Sequence, residues 1–251
     1  MNRRLLITGA GGFLGSRICE YYSNRDGYEA VGVTHRELDI EDFVAVSAFV
    51  KAIRPDYVLH CAAISNTGVC ERNPVLSEKV NVRGTVNLAK ACRKAGSRMI
   101  FTSSDQIYNT SHSLEPNREG SEGKPGNVYG RDKKRAEEAM LTYLPDAVAL
   151  RLTWLYDAPS RGRVAGQGLL QKLTDALKER REVEFPVHDY RGITYVWEVV
   201  RHLEEAMGLP GGVYNFGSEN RYNTFDTARL FLRELAGSDS GGILKRNDER
   251  F

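Results

Sequence analysis

The chain has 251 residues, of which 41% are hydrophobic and 27% charged, a composition typical of folded globular proteins rather than disordered ones. Its 35 basic and 33 acidic residues give a formal charge of +2 without a basic arm, so nucleic acid is not an expected partner. The sequence contains no run near the roughly 18 apolar residues of a membrane span, and Leu5–Ile7 is too short for a signal-peptide core. We therefore expect a cytoplasmic protein that does not insert into membranes.

The cysteines and histidines show no metal-ligand spacing. The four cysteines lie far apart and form no C-x-x-C pair, and the five histidines are equally scattered. We expect buried thiols, no disulfide framework and no metal site.

Short β-branched runs alternate with longer amphipathic stretches through the first part of the chain. The predicted strands are Arg4–Thr8, Ala30–Thr34, Tyr57–Ala62, Met99–Thr102 and Val148–Leu152. The predicted helices are Phe13–Tyr22, Phe43–Ile53, Leu76–Ala95 and Val128–Tyr143. This alternation predicts an α/β fold, a doubly wound parallel sheet with helices on both faces.

The second part of the chain is less regular. Helical patterns cover 168–180, 196–207 and 225–235, and short strands are predicted near 183–185 and 213–216. We expect a domain at 1–157 and a small lobe at 158–251 that is closely packed and partly interleaved with it. Polar stretches at 109–127 and 157–168 predict loops that could cover a ligand, and the polar tail 237–251 predicts poor order.

A glycine turn follows the first predicted strand. Gly9, Gly12 and Gly15 are spaced G-x-x-G-x-x-G, and Phe13 and Leu14 open the next helix. The glycines permit a tight turn, let backbone N–H groups approach a pyrophosphate, and let the helix pack closely on the strand. Because the turn joins a strand to a helix at the start of a β-α-β unit, it predicts a Rossmann-type dinucleotide site.

The end of the second predicted strand bears on the choice of coenzyme. Arg36 stands near the position where an acidic residue would hold the ribose of NADH, and a guanidinium there could meet a 2′-phosphate. This favours NADPH, with NADH still possible, although Arg36 could also be an ordinary solvated arginine. Asp39, followed by Ile40, could accept a bond from the adenine amino group or cap the next helix.

A catalytic set is predicted from three residues. Tyr129 and Lys133 are four apart in a helical pattern, which places both on one face, and the lysine charge should lower the pKa of the phenol. Ser104 follows a strand at the carboxyl end of the sheet, where ligands of open α/β folds bind. Its hydroxyl could stabilise a carbonyl oxygen or simply cap the strand end.

Together these motifs make the chain similar to the extended short-chain dehydrogenase/reductases, and it most resembles their dTDP-4-dehydrorhamnose reductase branch. The resemblance covers nearly the whole chain, from the glycine turn through Arg54-Pro55-Asp56, His60–Ala63, Asn81–Leu88 and Thr102–Asp105 to Tyr129–Lys133 and Leu150–Tyr156. It implies hydride transfer from NAD(P)H to the 4-keto group of a nucleotide-linked 6-deoxyhexose, with Tyr129 as proton donor. Lys133 would be its electrostatic partner, and Ser104 would orient the keto oxygen.

The resemblance also implies binding roles for further residues. The cofactor would be held by Gly9, Gly12, Phe13, Leu14, Gly15, Arg36, Asp39, Ile40, Cys61, Ala62, Ala63, Ser65, Asn81, Thr102, Tyr129 and Lys133. Asn81 would also support the active-site helix. The sugar would contact Ser104, Asp105 and Trp154, although core packing explains Trp154 equally well.

The chain departs from that branch at several positions. Gln106 stands where tyrosine is usual and Asn109 where glycine is usual. Ile193 replaces the proline of a G-x-P-T signature, and the C-terminal lobe is short. A different nucleotide sugar, or another small carbonyl compound, therefore stays open as substrate.

Two alternatives to a reductase stay open. One is a sugar-nucleotide epimerase or dehydratase with the same triad, and the other is a non-catalytic regulatory subunit that binds NADP. The helical patterns 76–95 and 128–143 resemble a family dimer face, so a homodimer stays open beside simple burial against the sheet.

Overall fold

A computed structural model describes residues 2–111, 115–158, 162–166, 168–237 and 242–249. Contacts divide the chain into two units, Met1–Leu152 with Val200–Phe216, and Thr153–Val199 with Gly217–Phe251. The predicted loops 109–127 and 157–168 and the tail 237–251 lie partly outside the described residues. The assignment of separate roles to residues 1–157 and 158–251 stays a prediction.

The first unit contains a parallel six-stranded sheet, which confirms the predicted fold class. In chain order its strands are β1 (Arg3–Thr8), β2 (Tyr28–Val33), β3 (Tyr57–His60), β4 (Arg98–Ser104), β5 (Val148–Leu152) and β9 (Gly212–Phe216). Their spatial order is β2-β1-β3-β4-β5-β9, and every neighbouring pair is parallel. The carboxyl ends of β1, β3 and β4 therefore meet at one edge of the sheet.

The helices between the first five strands of this sheet are α1 (Phe13–Ser23), α2 (Phe43–Ile53), α3 (Thr67–Arg72), α4 (Pro74–Glu78), α5 (Thr85–Ala95) and α6 (Val128–Tyr143). The longer helices, α1, α2, α5 and α6, cover this sheet because each buries an apolar stripe. One core cluster joins strand residues such as Leu6 and Phe101 to helix residues such as Val50, Leu88 and Met140. Burial of this apolar surface is the main contribution that holds the layers together.

The segment before β4 differs from the prediction of one long helix over 76–95. A π-helical stretch, Lys79–Gly84, separates α4 from α5, and α3 was not predicted at all. The π-helical turn widens the helix where Asn81, which is buried, uses its side chain to bond the chain at Ile64. Such turns are typical of sites where a side chain must be re-aimed.

The second unit has two short parallel pairs of strands. β6 (Trp154–Tyr156) pairs with β8 (Ile193–Tyr195), and β7 (Val183–Pro186) pairs with β10 (Leu244–Asn247). Its helices are α7 (Leu169–Glu179), the start of α8 (Val196–Gly208), and α9 (Thr224–Ala236). They pack around buried Leu169, Leu173, Phe185, Ala228 and Leu232.

The tail was expected to lack order, and for β10 this was wrong. The strand pairs in register with β7, from Leu244 opposite Val183 to Asn247 opposite Pro186. Because its stabilisation comes from backbone pairing, a segment with few apolar residues can still be ordered.

Candidate active site

The glycine turn is built by close backbone contacts. Gly9 has a φ of 73°, and a Cβ there would lie 2.6 Å from the backbone nitrogen of Ala62. A Cβ on Gly15 would lie 2.2 Å from the carbonyl oxygen of Gly9. Both positions therefore require glycine. Gly9 lets the turn pack against the chain after β3, and Gly15 lets α1 pack against the turn.

The N-terminus of α1 is suited to an anion. Gly12 is the N-cap residue and supplies no side-chain cap, and no acidic residue lies in the first turn, which begins Phe13-Leu14. The orphan N–H groups and the positive end of the helix dipole at such a terminus favour a phosphate. The predicted residues Cys61 and Ala62 lie against Gly9, and Ala63 and exposed Ser65 follow them.

The end of β2 is organised by Glu37, a residue to which the sequence analysis assigned no role. The Glu37 carboxylate accepts hydrogen bonds from the Thr34 backbone at 2.7 Å and from its hydroxyl at 2.9 Å. These bonds hold the pKa of Glu37 below its usual value. Gly11 of the glycine turn lies beside Thr34, while Arg36 is exposed. The Glu37 carboxylate is thus held at Thr34, which lies beside the glycine turn.

The alternative role considered for Asp39, as cap of the next helix, was wrong. Helix α2 begins at Phe43, and Asp42 caps it by accepting bonds from Val44 and Ala45. Asp39 instead accepts a bond from the backbone of Glu41 at 2.9 Å. Asp39 is exposed, and the neighbouring Ile40 is buried against Gly84.

The structure brings Ser104, Tyr129 and Lys133 together at the carboxyl end of β4. Ser104 ends the strand, and its hydroxyl accepts a bond from the Gln106 backbone at 3.2 Å. That hydroxyl also donates to the Asp105 carboxylate at 3.3 Å, and it acts on the nearby Tyr129 phenol in the sense that lowers the phenol's pKa. Ser104 therefore caps the strand end and also faces the phenol, so the two interpretations of this serine are compatible.

The pKa of the Tyr129 phenol differs in direction from the expectation. Tyr129 is 9% exposed, and burial raises its pKa, although the nearby Ser104 hydroxyl acts in the opposite sense. The Lys133 ammonium lies 5.6 Å from the centre of the Tyr129 ring and donates instead to the Thr102 carbonyl at 2.8 Å. Because desolvation dominates in this structure, the phenol keeps its proton at neutral pH.

Lys133 is itself strongly perturbed. Its side chain is 2% exposed, and burial lowers its pKa to about 8. Its Nζ lies 4.5 Å from the centre of the Phe101 ring, which supplies a cation–π contact. The carbonyl of Thr102 thus fixes the lysine, while the Thr102 hydroxyl donates to the carbonyl of His60 at 3.0 Å.

Comparison with known proteins places this geometry in a family. A family model described as the RmlD substrate binding domain matches residues 3–242. The chain belongs to this family.

Relatives and solved structures agree with that assignment. The dTDP-4-dehydrorhamnose reductase of Mycolicibacterium smegmatis (strain ATCC 700084 / mc(2)155) is 30% identical over 249 residues, which span 95% of this chain and 71% of the relative. The methionine adenosyltransferase 2 subunit beta of Xenopus laevis is 32% identical over 238 residues, spanning 90% of this chain and 70% of that protein. The crystal structure of a dTDP-4-dehydrorhamnose reductase from Bacillus anthracis str. Ames in complex with NADP superposes with a TM-score of 0.88. At 24% identity, covering 98% of this chain and 85% of that one, it shows likeness of fold.

In this RmlD-family chain, Asn81 lies in a buried polar network. Its amide donates to Ile64 O at 3.1 Å and accepts from Ile64 N at 2.9 Å, so it fixes the loop after β3 in both directions. Asn81 also donates to Ser77 at 3.2 Å, and Ser77 donates to the Asp132 carboxylate at 2.6 Å. The network therefore links the loop after β3 to the helix that carries Tyr129.

Sequence reasoning missed Ser77, Asp132 and Glu71. Asp132 lies three residues after Tyr129, on the same buried helix face, and a carboxylate on such a face signals a buried partner. The Glu71 carboxylate accepts a bond from the Val128 backbone at 2.6 Å and so stabilises the start of α6. Nothing in the sequence near Glu71 or Ser77 indicates these long-range contacts.

His60 lies on β3 beneath the site and is held neutral. Its Nδ1 lies 2.8 Å from the Thr8 hydroxyl, and its Nε2 lies 3.0 Å from that of Thr85. Because Thr85 donates its own proton to Asn81 O, it must accept from Nε2–H, which leaves Nδ1 to accept from Thr8. Complete burial and the nearby Lys133 charge lower the pKa of His60 to about 3.

Trp154 belongs to the second unit. Its ring packs with the cluster around Leu169 and Leu173. Arg191 lies 4.9 Å and Lys172 5.8 Å from the ring centre. These contacts support core packing, and contact with a sugar stays a prediction, as it does for Asp105.

Within the described residues, no group of three or more His, Cys, Asp or Glu side chains could hold a metal ion. In the same part of the chain, no helix is long and apolar enough to cross a membrane.

Proposed function

We propose that this chain is an NAD(P)H-dependent reductase of a keto group on a nucleotide-activated sugar, in the manner of dTDP-4-dehydrorhamnose reductase. The observation that carries the proposal is the meeting of Ser104, Tyr129 and Lys133 at the edge of the sheet where β1 also ends in the glycine turn. The reductase name of the Mycolicibacterium relative supports the reaction type.

The residues present fit a dinucleotide. The crowded Gly9 and Gly15 and the uncapped N-terminus of α1 leave a backbone surface that a pyrophosphate could approach. When bound, the reduced nicotinamide supplies the hydride that adds to the carbonyl carbon. We assign cofactor binding to residues 1–157 and recognition of the sugar nucleotide to residues 158–251. Trp154, just before this second part, would also contact the sugar.

Tyr129 is the proton donor in this mechanism. As the carbonyl carbon is reduced, its oxygen gains negative charge and takes the phenolic proton, so the product is an alcohol and the residue a phenolate. Burial keeps the phenol protonated beforehand. The Ser104 hydroxyl, which acts on the nearby phenol, would donate to the same oxygen and stabilise its charge. Lys133, cationic at pH 7, would stabilise the phenolate that remains.

NADPH is the preferred coenzyme in this proposal, and NADH is a second substrate. Exposed Arg36 could pair with a 2′-phosphate, whereas the ionised Glu37 carboxylate next to it could accept from ribose hydroxyls. Replacing Arg36 by Leu should raise the KM for NADPH about tenfold and leave that for NADH within about twofold. Equal effects on both coenzymes would contradict the assignment.

A regulatory subunit is the second candidate, because the Xenopus relative is named as a subunit of an adenosyltransferase. A regulator has no use for a proton donor. Activity that depends on the phenol therefore separates the two candidates. An epimerase on the same triad would retain its dinucleotide through purification, whereas a reductase must release it after each turnover.

The deciding experiment is single-turnover oxidation of NADPH on addition of a dTDP-4-keto-6-deoxyhexose, followed by nicotinamide absorbance. We expect oxidation by the wild type and a loss of at least about 100-fold in Tyr129→Phe. Tyr143→Phe, at the other end of α6, is the matched control and should keep full activity. Binding of NADPH without oxidation in the wild type would exclude this sugar as substrate and favour another carbonyl compound or the regulator. A cytoplasmic location and a homodimer stay predictions.

A further inference from the structure

Gln106 and Asn109 are the two departures from the family pattern that lie next to the catalytic serine. Gln106 belongs to a short 3-10 helix, Asp105–Tyr108, that begins directly after Ser104, and Asn109 follows it. Both side chains are half-buried. The proposed reaction gives neither residue a role.

The two residues share a chain of amide hydrogen bonds with Asn127, which precedes α6. The Gln106 side-chain oxygen accepts from Asn127 Nδ2 at 2.8 Å and from Asn109 Nδ2 at 3.5 Å. Asn127 Oδ1 accepts from the Gly130 backbone at 2.7 Å, and Asn109 Oδ1 accepts from the Gly126 backbone at 2.8 Å. The three amides thus join the segment after Ser104 to the first turn of the helix that carries Tyr129.

The direction of these bonds follows from their ends. A backbone N–H can only donate, so the side-chain oxygens of Asn127 and Asn109 must face Gly130 and Gly126. Their NH₂ groups are then left facing Gln106, which must accept from both with its single side-chain oxygen. Gln106 therefore serves as an acceptor, and the arrangement does not use its own NH₂ group.

A second contact, independent of side-chain amides, holds the same two segments together. A Cβ on Gly130 would lie 2.5 Å from the backbone oxygen of Gln106 and 2.8 Å from Cβ of Pro125. The first turn of α6 therefore lies directly against the 3-10 helix. Since Gly130 follows Tyr129 and Gln106 is two residues from Ser104, any separation here changes the distance between the two hydroxyls.

We propose that Gln106, Asn109 and Asn127 form an amide clasp that positions the Ser104 hydroxyl against the Tyr129 phenol. The three are positioning residues, and none of them donates a proton to substrate. This inference rests on the proposed reductase function for its kinetic readout, but its structural part can be measured without turnover.

The acceptor role of Gln106 gives a sharp pair of variants. Gln106→Glu keeps an oxygen acceptor for both asparagines, whereas Gln106→Leu removes it at similar size. We expect Gln106→Leu to lower kcat about 10- to 100-fold, because displacement of a reacting group by about 1 Å costs up to about 100-fold. Gln106→Glu should stay within about threefold of wild type. The Kd for NADPH should be unchanged in both variants, since the clasp does not touch the glycine turn.

A further variant separates the clasp from helix capping. Asn127→Asp keeps the oxygen that caps α6 at Gly130 but removes the NH₂ donor. The double variant with Asn127→Asp and Gln106→Glu has two carboxylates facing each other. Its fold decrease in kcat should therefore exceed the product of the fold decreases of the two single variants. Gln171→Leu, which breaks a glutamine bond to Asp175 in α7, is the control and should have no effect on kcat.

Hydrogen exchange supplies the readout that does not need activity. In Gln106→Leu the amide of Gly126 should exchange at least about tenfold faster than in wild type, with the core strands unaffected. If wild type does not oxidise NADPH, the proposed function fails while this exchange measurement still decides the clasp. Wild-type exchange at Gly126 in Gln106→Leu would overturn the clasp. So would equal damage to kcat by Gln106→Glu and Gln106→Leu in an active enzyme.

Discussion

The glycine turn and the catalytic helix lie in the same unit but are held in place by opposite means. At the turn, Gly9 and Gly15 let backbone approach backbone, and there is no space for a side chain. At α6, buried polar side chains make the contacts, among them Asn81, Ser77 and Asp132. Where glycine allows the backbone to pack closely, an added side chain is not tolerated. Where buried polar side chains make the contacts, removal of one partner leaves the other without a hydrogen bond and destabilises the protein.

The largest effect should come from adding one methyl group at the turn. Gly9→Ala combines a strained φ with a collision at 2.6 Å against Ala62 backbone. Gly27→Ala has a φ of 84° but open space, so it is subject to the strain alone. We expect a loss in the free energy of unfolding of about 3 kcal/mol or more for Gly9→Ala and about 1 kcal/mol for Gly27→Ala. Urea unfolding measures both, and equal losses would show that the contact with Ala62 is unimportant.

Removal of a hydroxyl from the polar network should have the next largest effect. Ser77→Ala leaves the Asp132 carboxylate, which is 3% exposed, without its bond at 2.6 Å. We expect a loss of about 1 to 3 kcal/mol in the free energy of unfolding, because an unpaired buried acceptor is costly. Adding Asp132→Asn should recover part of it by removing the charge. A double variant less stable than Ser77→Ala would contradict this account of the network.

Lys133, the proposed partner of the Tyr129 phenolate, should destabilise the folded protein. Burial lowers the pKa of Lys133 from 10.5 to about 8, so the folded state disfavours its charge. The cost is complete below pH 8 and fades as pH rises toward 10.5, where the unfolded chain also loses the proton. Lys133→Met should therefore abolish reduction but raise the free energy of unfolding at pH 7 by about 1 to 2 kcal/mol.

The pH dependence of that gain checks its cause. The advantage of Lys133→Met over wild type should shrink between pH 8 and 10.5 in urea unfolding experiments. Lys51→Met, at an exposed position on α2, should have no such advantage. A variant less stable than wild type at pH 7 would show that the bond to Thr102 O outweighs desolvation.

The smallest effect should come from the charge at the start of α6. Glu71→Gln keeps the side-chain oxygen that accepts from Val128 but removes the negative charge near the positive helix end. We expect a loss of about 0.5 kcal/mol in the free energy of unfolding. Glu71→Ala, which also removes the acceptor, should cost more. An identical result for both variants would mean that the hydrogen bond contributes nothing.

The same contrast explains how far the sequence predicts this molecule. The glycine turn and the strands are local patterns, and the structure contains them at the predicted positions. It also brings Ser104, Tyr129 and Lys133 together, and their catalytic roles stay a prediction. The polar network is built from residues such as Ser77 and Asp132, which are 55 positions apart, and pairing over that distance leaves no periodic signal. The π-helical turn at 79–84 was missed for a related reason, since its apolar spacing still reads as ordinary helix. The direction of the Tyr129 pKa also depends on burial, which spacing alone does not give.

The parallel pairing of β5 with β9 has a consequence for synthesis of the chain. Val148 pairs with Gly212, so the sixth strand of the sheet is translated long after the fifth. Until then the nascent sheet ends at β5, whose residues are all buried in the finished protein. The first unit therefore cannot close before residues 153–199 of the second have been made. An unpaired apolar strand edge is prone to aggregation, which makes this interval on the ribosome the stage at which chaperone protection matters most.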